Sequence, residues 1–288
     1  MRLSVVVPSY NQGRFLQATL DSILSQDVDA EILVYDGGSY DDSLSILERY
    51  ADRIEYVSQK DDGQADAINQ GLQHASGEIL AYLNSDDVYC QGALKEVLDY
   101  FASHEDCTAL YGDAWHLHED GSIMAPYNTE PWSYSRLMEV CFLCQPATFW
   151  RRELMERVGL FDPTLRYVLD YEYWLRAGRE INFHYLQGVF LAGSRLYAET
   201  KTLGRREEAH HETMDVVMRY IHEPPYKWLQ NFGWVMVELE QQKNGGHEID
   251  NRTRHSLFVQ AVLNIADQHR IPLSLDFLDA LERLLPGS

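Results

Sequence analysis

Apolar runs and periodic apolar positions alternate through the first part of the chain. Continuous apolar or β-branched runs predict strands buried on both faces, whereas apolar residues recurring every three or four positions predict helices. Strands are predicted at residues 3–7, 31–35, 54–58 and 78–83, and helices at residues 14–26, 41–50, 65–75 and 93–104. Repeated strand–helix units of this length are typical of a mostly parallel, Rossmann-like sheet with flanking helices.

The pattern changes further along the chain. Strands predicted at residues 109–118, 145–150 and 183–191 are interspersed with helices predicted at residues 133–140, 152–158 and 169–177. From about residue 203 helical periodicity dominates, with helices predicted at residues 207–221, 227–243, 252–269 and 275–285. We therefore expect an α/β domain over residues 1–202, followed by a C-terminal helical extension over residues 203–288.

Charge narrows the range of partners. The chain has 45 acidic and 24 basic residues, a net charge of -21, and 45% hydrophobic residues, which is enough for a core. So acidic a surface repels nucleic acid and anionic lipid, and we expect no nucleic-acid partner. No apolar run approaches the roughly 18 residues of a membrane span, and the first is too short for a signal peptide. We expect no transmembrane segment and a cytoplasmic location, with a peripheral position at the inner membrane as the alternative.

The cysteines and the tail aromatics each allow two interpretations. Cys141 and Cys144 form a C-x-x-C pair, but without a second pair or a nearby histidine the more favoured interpretation is two buried small side chains. The tail has a dense aromatic window, Tyr226, Trp228, Phe232 and Trp234. These rings are expected to pack the tail onto the catalytic domain, the alternative being a homo-oligomer formed through the C-terminal helices.

Three polar clusters follow predicted strands. They are Pro8-Ser9-Tyr10-Asn11, Asp36-Gly37-Gly38-Ser39 and Asn84-Ser85-Asp86-Asp87. Open parallel sheets bind ligands outside the carboxyl ends of their strands. The sequence therefore predicts one crevice, lined by acidic groups and glycine-rich turns.

Asp86 and Asp87 are the strongest candidates for chemistry. Adjacent carboxylates at a strand end repel each other unless a cation lies between them and a ligand, and a hard divalent ion bridging to a diphosphate meets that need. The alternative is a helix cap, which explains one acidic residue there more easily than two. We expect a divalent cofactor, Mn or Mg, held by both carboxylates.

Other polar residues have weaker local signals. Asp36 could accept a hydrogen bond from a base or a ribose, although the local sequence alone favours an ordinary Asp-Gly turn. Asp66 and Asn69 fall on a predicted helix, where on their own they are more readily interpreted as solvated polar residues.

The segment at residues 170–174 is acidic and aromatic at once. Asp170 and Trp174 are four residues apart and share a helical face, so an aromatic wall could tune the carboxylate for general-base work. The alternative is an amphipathic helix whose acids face water.

Four segments together resemble glycosyltransferase family 2, which has the GT-A fold. They are VVVPSYNQGRFLQATLDSILSQ, LVYDGGSYDDS, DDGQADAINQGLQHASGEILAYLNSDD and CQPATFWRRELMERVGLFDPTLRYVLDYEYWLRAG, and the resemblance extends to about residue 202. It implies an inverting glycosyltransferase of glycan or polysaccharide biosynthesis. Such an enzyme moves a sugar from a nucleoside-diphosphate donor, here with a preference for UDP, to a hydroxyl of a glycan, lipid-linked or other acceptor.

The resemblance also implies roles for individual residues. The nucleotide site would be formed by Pro8, Ser9, Tyr10, Asp36, Asp66, Asn69 and Asp86, with Arg195 and Lys201 as cations for the departing diphosphate. Asp86 and Asp87 take the place of the family's Asp-x-Asp metal motif, with Asn84 where its first Asp often stands. Asp170 matches the general base, and the acceptor side would be formed by Gln145, Pro146, Glu172 and Trp174.

A later segment, LAGSRLYAETKT, departs from the family pattern. The corresponding family segment usually reads Arg-x-His, and its histidine is a candidate metal ligand. In this chain Tyr197 replaces that histidine. The resemblance therefore implies a cation held more by carboxylate, diphosphate and water.

Three rival functions are less well supported. A nicotinamide dehydrogenase needs G-x-G-x-x-G after the first strand, where this chain has PSYNQG. A sugar-nucleotide pyrophosphorylase normally has a glycine-rich loop with an arginine there. A non-catalytic nucleotide-sugar sensor would need the nucleotide pocket but not Asp170.

Overall fold

The chain forms two compact units. The computed structural model describes residues 1–221 and 224–283, with side chains at all these positions except 201, 202 and 282. The first unit comprises residues 1–137 and 141–198, and the second comprises residues 138–140 and 199–288. Residues 138–140 thus belong to the second unit although the chain on either side of them belongs to the first.

The first unit is built on one mixed sheet. Its strands are β1 (Leu3–Ser9), β2 (Ala30–Asp36), β3 (Glu55–Ser58), β4 (Ile79–Tyr82), β5 (Val88–Tyr89), β6 (Ala109–Leu117), β7 (Ile123–Pro126), β8 (Thr148–Arg151) and β9 (His184–Arg195). Its helices are α1 (Gly13–Leu24), α2 (Ser43–Tyr50), α3 (Gln64–His74), α4 (Ala93–Ser103), α5 (Tyr134–Leu137), α6 (Arg152–Val158) and α7 (Leu169–Gly178). The strand order is β3-β2-β1-β4-β8-β6-β9-β5, and β7 pairs with β6.

The first half of the sheet is parallel, as the sequence predicts. β1 pairs in parallel with β2 and with β4, and β2 pairs in parallel with β3. Every residue of β1 is buried, because helices cover both faces of a sheet built from crossover units. In this half the predicted ends of strands and helices all lie within two residues of the observed ones.

The second half of the sheet is mixed. β6 and β9 are parallel, whereas β8 runs antiparallel to both β4 and β6, and β7 returns along β6 as a hairpin. Parallel pairing requires a long crossover connection, whereas a short turn such as the one between β6 and β7 makes the two strands antiparallel. The predicted α/β class with flanking helices is confirmed, with this mixed half added to the parallel one.

Two local predictions in the middle of the chain need correction, and two short strands were not predicted. The helix predicted at residues 133–140 is a single turn, Tyr134–Leu137, and the strand predicted from residue 145 begins with a 3₁₀ turn, Gln145–Ala147. The two strands β5 and β7 have only two and four residues, which is too short to produce a periodic signal.

The second unit is helical and has its own core. Its helices are α8 (Lys201–Gly204), α9 (Arg206–Tyr220), α10 (Tyr226–Lys243), α11 (Asn251–Gln268) and α12 (Leu275–Arg283). Leu229, Phe258 and Val262 are fully buried in that core, and Trp234 packs on Phe258 with ring centroids 4.7 Å apart. Two residues of the helix predicted at 275–285 lie outside the described part of the chain. Among the helices of the described residues none is long and apolar enough to cross a membrane.

Candidate functional site

The polar clusters after β1, β2 and β4 meet at the carboxyl edge of the parallel strands. Ser9 lies opposite Asp36 in the register of β1 and β2, and the N–H of Leu83 donates to the carbonyl of Val6. Register places the ends of neighbouring parallel strands side by side. The three polar clusters therefore lie side by side at one edge of the sheet, and a ligand-binding crevice there stays a prediction.

Asp36 organises the turn that follows β2. Its carboxylate accepts hydrogen bonds from the N–H of Ser39 at 2.9 Å, the hydroxyl of Ser39 at 2.5 Å and the hydroxyl of Ser58 at 2.7 Å. The N–H of Gly38 donates to it at 3.2 Å. This buried carboxylate thus holds the turn at residues 36–39 to the end of β3 at Ser58. A hydrogen bond from a nucleoside would need a lone pair that these donors leave unused, and this contact stays a prediction.

Two exposed aromatic rings stand at the same edge. Tyr10, after β1, is 58% exposed, and Tyr40, before α2, is 84% exposed. Their ring centroids are 6.4 Å apart in an edge-to-face arrangement. The loops that carry them are joined, because the N–H of Tyr40 donates to the side chain of Asn11 and the N–H of Asn11 donates to the hydroxyl of Ser39. The structure thus leaves Tyr10 on the surface, while Pro8 and Ser9 are buried in β1.

The turn carrying Asp86 and Asp87 is fixed on several sides. The hydroxyl of Thr19, on α1, contacts the carbonyls of Ser85 and Asp87 at 2.9 and 2.8 Å. The N–H of Arg195, at the end of β9, donates to the Asp87 carboxylate at 2.8 Å. The sequence-distant elements α1 and β9 therefore hold the two carboxylates beside the end of β4.

Burial and mutual repulsion act on this carboxylate pair. Burial raises the pKa of Asp87 well above its ordinary value, and the neighbouring Asp86 charge raises it further. Burial likewise raises the pKa of Asp86, although the hydroxyl of Tyr197 opposes that shift. Two acids held together in this way favour a cation or a shared proton.

Tyr197 is bound directly to Asp86. Its hydroxyl donates to the Asp86 carboxylate at 2.7 Å, and the side-chain amide of Gln12 donates to the hydroxyl at 3.0 Å. Burial, followed by the Asp86 charge, raises the pKa of Tyr197, so the phenol stays protonated. The residue that replaces the family's histidine thus holds a carboxylate.

Arg195 stabilises the acidic turn through hydrogen bonds. Its guanidinium donates to the carbonyl of Asp86 and lies 4.7 Å from the centroid of the Phe15 ring. Arg14 lies on the same ring at 4.5 Å and forms an ion pair with Glu119 at 2.7 Å. Because Arg195 is only 7% exposed, its charge acts on the turn, and a direct contact with a diphosphate stays a prediction. The side chain of Lys201, predicted for the same role, lies outside the described part of the structure.

An amide network joins the ends of β4 and α3 to the 3₁₀ turn. The side chain of Gln64 donates to Asn84 at 2.7 Å, and Asn84 donates to Gln145 at 3.2 Å and to Asp87 at 3.3 Å. Gln145 in turn donates to the carbonyl of Tyr82 at 2.7 Å. Asn84 therefore links the buried Asp87 to Gln145, the residue predicted on the acceptor side.

Asp170 lies at the N-terminal turn of α7, in the same electrostatic environment as Asp87. Burial raises the pKa of Tyr82 well above its ordinary value, and the charges of Asp170 and Asp87 add to that shift. Burial raises the pKa of Cys144 as well, again with contributions from both acids. The charges of the predicted base and of Asp87 therefore act on the same two buried groups, Tyr82 and Cys144.

Glu172 and Trp174 are both buried within the protein. Glu172 is bound by the guanidinium of Arg176 through two hydrogen bonds of 3.0 and 2.8 Å. Trp174 is fully buried, with ring centroids 5.7 Å from both Trp150 and Phe183. The prediction that Trp174 contributes to the acceptor side is therefore wrong, because α7 is buried around most of its circumference and its aromatic side chains pack inward.

Asp66 and Asn69 are engaged within the protein. Asp66 accepts from the side chain of Gln70 at 2.9 Å, and its charge helps to raise the pKa of the partly buried Asp61. Asn69 bridges both backbone groups of Phe161, accepting from its N–H at 3.0 Å and donating to its carbonyl at 2.8 Å. Asn69 thereby anchors the loop before α7, and its expected contact with the nucleotide stays a prediction.

The carboxylates of Asp86 and Asp87 fit a divalent cation whose remaining ligands are phosphate oxygens and water. Among the described residues no group of three or more His, Cys, Asp or Glu side chains could hold a metal ion. Mg²⁺ characteristically takes one or two protein carboxylates and completes its coordination with phosphate oxygens and water. The buried Asp87 and the half-buried Asp86, both with a raised pKa, meet that description, since a cation removes their repulsion.

Three site residues were missed by the sequence analysis. Gln12 and Thr19 act through contacts with residues more than 60 positions away, which no local pattern reports. Arg14 stacks on the adjacent Phe15 and, at 4.8 Å, on the ring of Tyr197. The sequence signal for Arg14 is its place next to the PSYNQG segment that follows β1.

Comparison with known proteins identifies the family. The family model described as glycosyl transferase family 2 matches residues 4–159. A Nostoc protein described as an uncharacterized glycosyltransferase is 30% identical over 180 residues, covering 57% of this chain and 55% of its own length. A PGL/p-HBAD biosynthesis glycosyltransferase of Mycobacterium bovis is 31% identical over 182 residues, covering 60% of this chain and 68% of its own.

Solved structures agree on the fold. S. aureus TarS 1–349 in complex with UDP-GlcNAc has a TM-score of 0.63 at 17% identity, covering 99% of this chain and 84% of its own. A mannosyltransferase from Pyrobaculum calidifontis, in complex with GDP-Man and Mn²⁺, has a TM-score of 0.60 at 18% identity, covering 98% and 79%. With the family match spanning more than half of its length, this chain belongs to glycosyltransferase family 2 and is a glycosyltransferase of the GT-A fold.

Proposed function

We propose that the protein is an inverting, cation-dependent glycosyltransferase that takes its sugar from a UDP-linked donor. The observation that carries this proposal is the pair of carboxylates, Asp86 and Asp87, which Tyr197 and Arg195 hold at the carboxyl edge of the parallel strands. The charge of Asp170 acts on the buried Tyr82, as does that of Asp87. A single-displacement transfer needs a base on the acceptor side and charge stabilisation on the diphosphate side. The related TarS structure holds UDP-GlcNAc, which supports a UDP donor for this chain.

The proposed donor site uses the edge formed by β1, β2 and β4. Tyr10 offers an exposed ring to the base, and the turn fixed by Asp36 forms the adjoining wall. Asp86 and Asp87 would hold the divalent ion, Mn or Mg, which neutralises the diphosphate when bound. Manganese in the Pyrobaculum mannosyltransferase complex supports this cofactor.

In the proposed transfer Asp170 is the general base. Asp170 takes the proton of the acceptor hydroxyl, whose oxygen forms a bond to C1 of the sugar on the face opposite the diphosphate. The bond from C1 to the diphosphate oxygen breaks, and the nucleoside diphosphate leaves with the electron pair. The hydrogen-bonded network from Gln64 through Asn84 to Gln145 would hold the donor and acceptor sides in a fixed relation.

A binding screen tests the donor assignment. The protein is titrated with UDP, GDP and their sugars in the presence of Mn²⁺ or Mg²⁺, and its thermal unfolding is recorded. A donor at 100 times its dissociation constant adds about 2.7 kcal/mol to the free energy of unfolding. A response to GDP alone would overturn the UDP assignment, and no response to any nucleotide would overturn the donor site.

A turnover measurement tests the cation. We expect donor hydrolysis or transfer to require Mn²⁺ or Mg²⁺, and Asp87→Ala to abolish metal-dependent nucleotide binding. Undiminished turnover in excess chelator would contradict the proposed cation dependence.

The acceptor and the oligomeric state are proposed at a coarser level. The mycobacterial relative is described as a PGL/p-HBAD biosynthesis enzyme, which supports a role in glycan or glycolipid assembly and a glycan, lipid-linked or other hydroxyl acceptor. The chain matches only 55% and 65% of the length of the first two relatives. An oligomer through the C-terminal helices stays a prediction, which a light-scattering mass of 33.3 kDa would contradict.

A further inference from the structure

The hydroxyl of Tyr197 is held between two polar side chains. Asp86 lies 2.7 Å from it and Gln12 lies 3.0 Å from it on the other side. The ring itself is confined, because Phe15 packs on it at a centroid distance of 5.0 Å and the Arg14 guanidinium covers it at 4.8 Å. With Tyr197 only 6% exposed, its hydroxyl has a fixed position.

The direction of these hydrogen bonds follows from the groups themselves. An ionised carboxylate only accepts, and a phenol has one proton to give. The Tyr197 proton therefore goes to the Oδ2 atom of Asp86, and the amide of Gln12 donates to the phenol oxygen. This order, from Gln12 through Tyr197 to Asp86, orients one oxygen of the carboxylate and so fixes the direction of the other.

The same short segment holds both acids of the turn. The N–H of Arg195 donates to Asp87 at 2.8 Å, and two residues later Tyr197 donates to Asp86. Groups that orient a metal-binding side chain typically change metal affinity 10- to 100-fold when removed. The geometry therefore gives the end of β9 a role in setting the acidic turn.

We propose that Tyr197 is a positioning residue for the carboxylate of Asp86, with Gln12 as its support. The Tyr197 hydroxyl holds Oδ2, so that Asp86 presents its other oxygen to a divalent cation in one orientation. This inference rests on the proposed cation-dependent donor site, and it assigns to Tyr197 and Gln12 a contribution to cation affinity that is separate from nucleoside binding.

The test compares two tyrosine-to-phenylalanine variants. Tyr197→Phe keeps the ring and removes the donor to Asp86, whereas Tyr185→Phe removes a similar hydrogen bond, 2.5 Å to Asp113, elsewhere in the first unit. Free Mn²⁺ is measured by electron paramagnetic resonance during titration of the full-length protein with UDP present. We expect Tyr197→Phe to weaken Mn²⁺ affinity about 10- to 100-fold and Tyr185→Phe to leave it within about twofold.

A second readout separates positioning from packing. Uridine binding in chelator, measured by calorimetry, should be the same in Tyr197→Phe and in the unmodified protein, because uridine carries no phosphate. A comparable loss of uridine affinity would show that the variant disturbs the whole site, and would overturn a specific role toward Asp86.

A variant of Gln12 tests the order of donors and protects against a misfolded Tyr197→Phe. Gln12→Leu should weaken Mn²⁺ affinity by a smaller factor, and should add little to Tyr197→Phe, since residues in one hydrogen-bonded chain are not additive. Full additivity, or unchanged Mn²⁺ affinity in Tyr197→Phe while UDP binding persists, would overturn the inference and leave the proposed function standing. Absence of any Mn²⁺–UDP binding by the unmodified protein would instead overturn the proposed function.

Discussion

Asp170 and Glu172 are two residues apart, yet the structure gives them different surroundings. Glu172 is 4% exposed and bound through both carboxylate oxygens by Arg176, which leaves it little freedom to take a proton from an acceptor. Asp170 is less buried and shares its surroundings with the acidic turn through Tyr82. The contacts of Glu172 therefore support the proposed role of Asp170 as the base, for a reason other than the aromatic wall expected from the sequence.

Exchange of each acid for its amide separates the two roles. Asp170→Asn should bind UDP and Mn²⁺ nearly normally and reduce sugar transfer by roughly 100-fold or more, because it removes the proton acceptor alone. Glu172→Gln should instead lower the free energy of unfolding by about 1–3 kcal/mol, since it weakens the hydrogen bonds from the charged Arg176. Transfer assays and urea unfolding measure the two effects. Wild-type transfer by Asp170→Asn, together with loss of transfer in Glu172→Gln, would reverse the assignment.

Asp87 gives a pH dependence whose sign can be stated. Its pKa in the folded protein lies above that in the unfolded chain, so the folded state binds more protons and stability falls as pH rises through that interval. Asp87→Asn should therefore stabilise the metal-free protein more at pH 8 than at pH 5, and reduce the slope of stability against pH. Urea unfolding in chelator at both pH values measures this. An equal effect of the substitution at the two pH values would argue against a raised pKa at Asp87.

At the scale of elements, α3 depends on a close approach to β1. Gly71 lies where that helix crosses the sheet, and an added Cβ would stand 2.3 Å from the Cγ1 of the buried, β-branched Val6. Gly71→Ala should lower the free energy of unfolding by about 1–3 kcal/mol through overpacking, although the gain in helix propensity offsets part of this. Gln73→Ala, at an exposed position of the same helix, should stay within about 0.5 kcal/mol.

The same substitution should also affect the site. Because α3 begins at Gln64, which donates to Asn84, a displaced helix should weaken UDP binding as well as stability. Calorimetry on Gly71→Ala and Gln73→Ala measures this. Normal stability of Gly71→Ala would show that Val6 can move aside.

Much of the parallel half could be predicted from the sequence because its signals are local. Strand runs, helical periods and polar strand ends each occupy consecutive residues, and parallel register then brings Ser9, Asp36 and the turn after β4 to one edge. The capture of Glu172 by Arg176 also has a local signal, an acid and a base four residues apart.

The rest of the site depends on contacts between distant segments. The hydrogen bond from Tyr197 to Asp86 joins residues 111 positions apart, and no periodicity encodes it. The burial of Trp174 could not be predicted from its helical face, because neighbouring elements cover α7 on most sides. Contacts between distant segments determine both the position of the Tyr197 hydroxyl and the burial of the Trp174 indole ring.

At the scale of the whole molecule, each unit has its own hydrophobic core. Leu229 is fully buried in the second unit, whereas Leu263, on the neighbouring helix α11, is 42% exposed. Leu229→Ala should lower the stability of the second unit by about 2–5 kcal/mol, and Leu263→Ala should have an effect within about 0.5 kcal/mol. Urea unfolding followed by hydrogen exchange assigns the loss to one unit. UDP affinity should be unchanged in both variants, and a parallel loss of UDP binding in Leu229→Ala would contradict separate cores.

Residues 138–140 have a practical consequence for building chimeric enzymes. These three residues belong to the second unit, where the indole N–H of Trp228 donates to the carbonyl of Met138 at 2.9 Å, yet they precede that unit's main segment by about 60 positions. A single crossover at residue 199 would therefore leave part of the outgoing module behind in the recipient. An exchange of C-terminal helices between relatives should therefore include residues 138–140 together with the segment from residue 199 onward. The incoming helices then keep main-chain contacts such as the one between Trp228 and Met138.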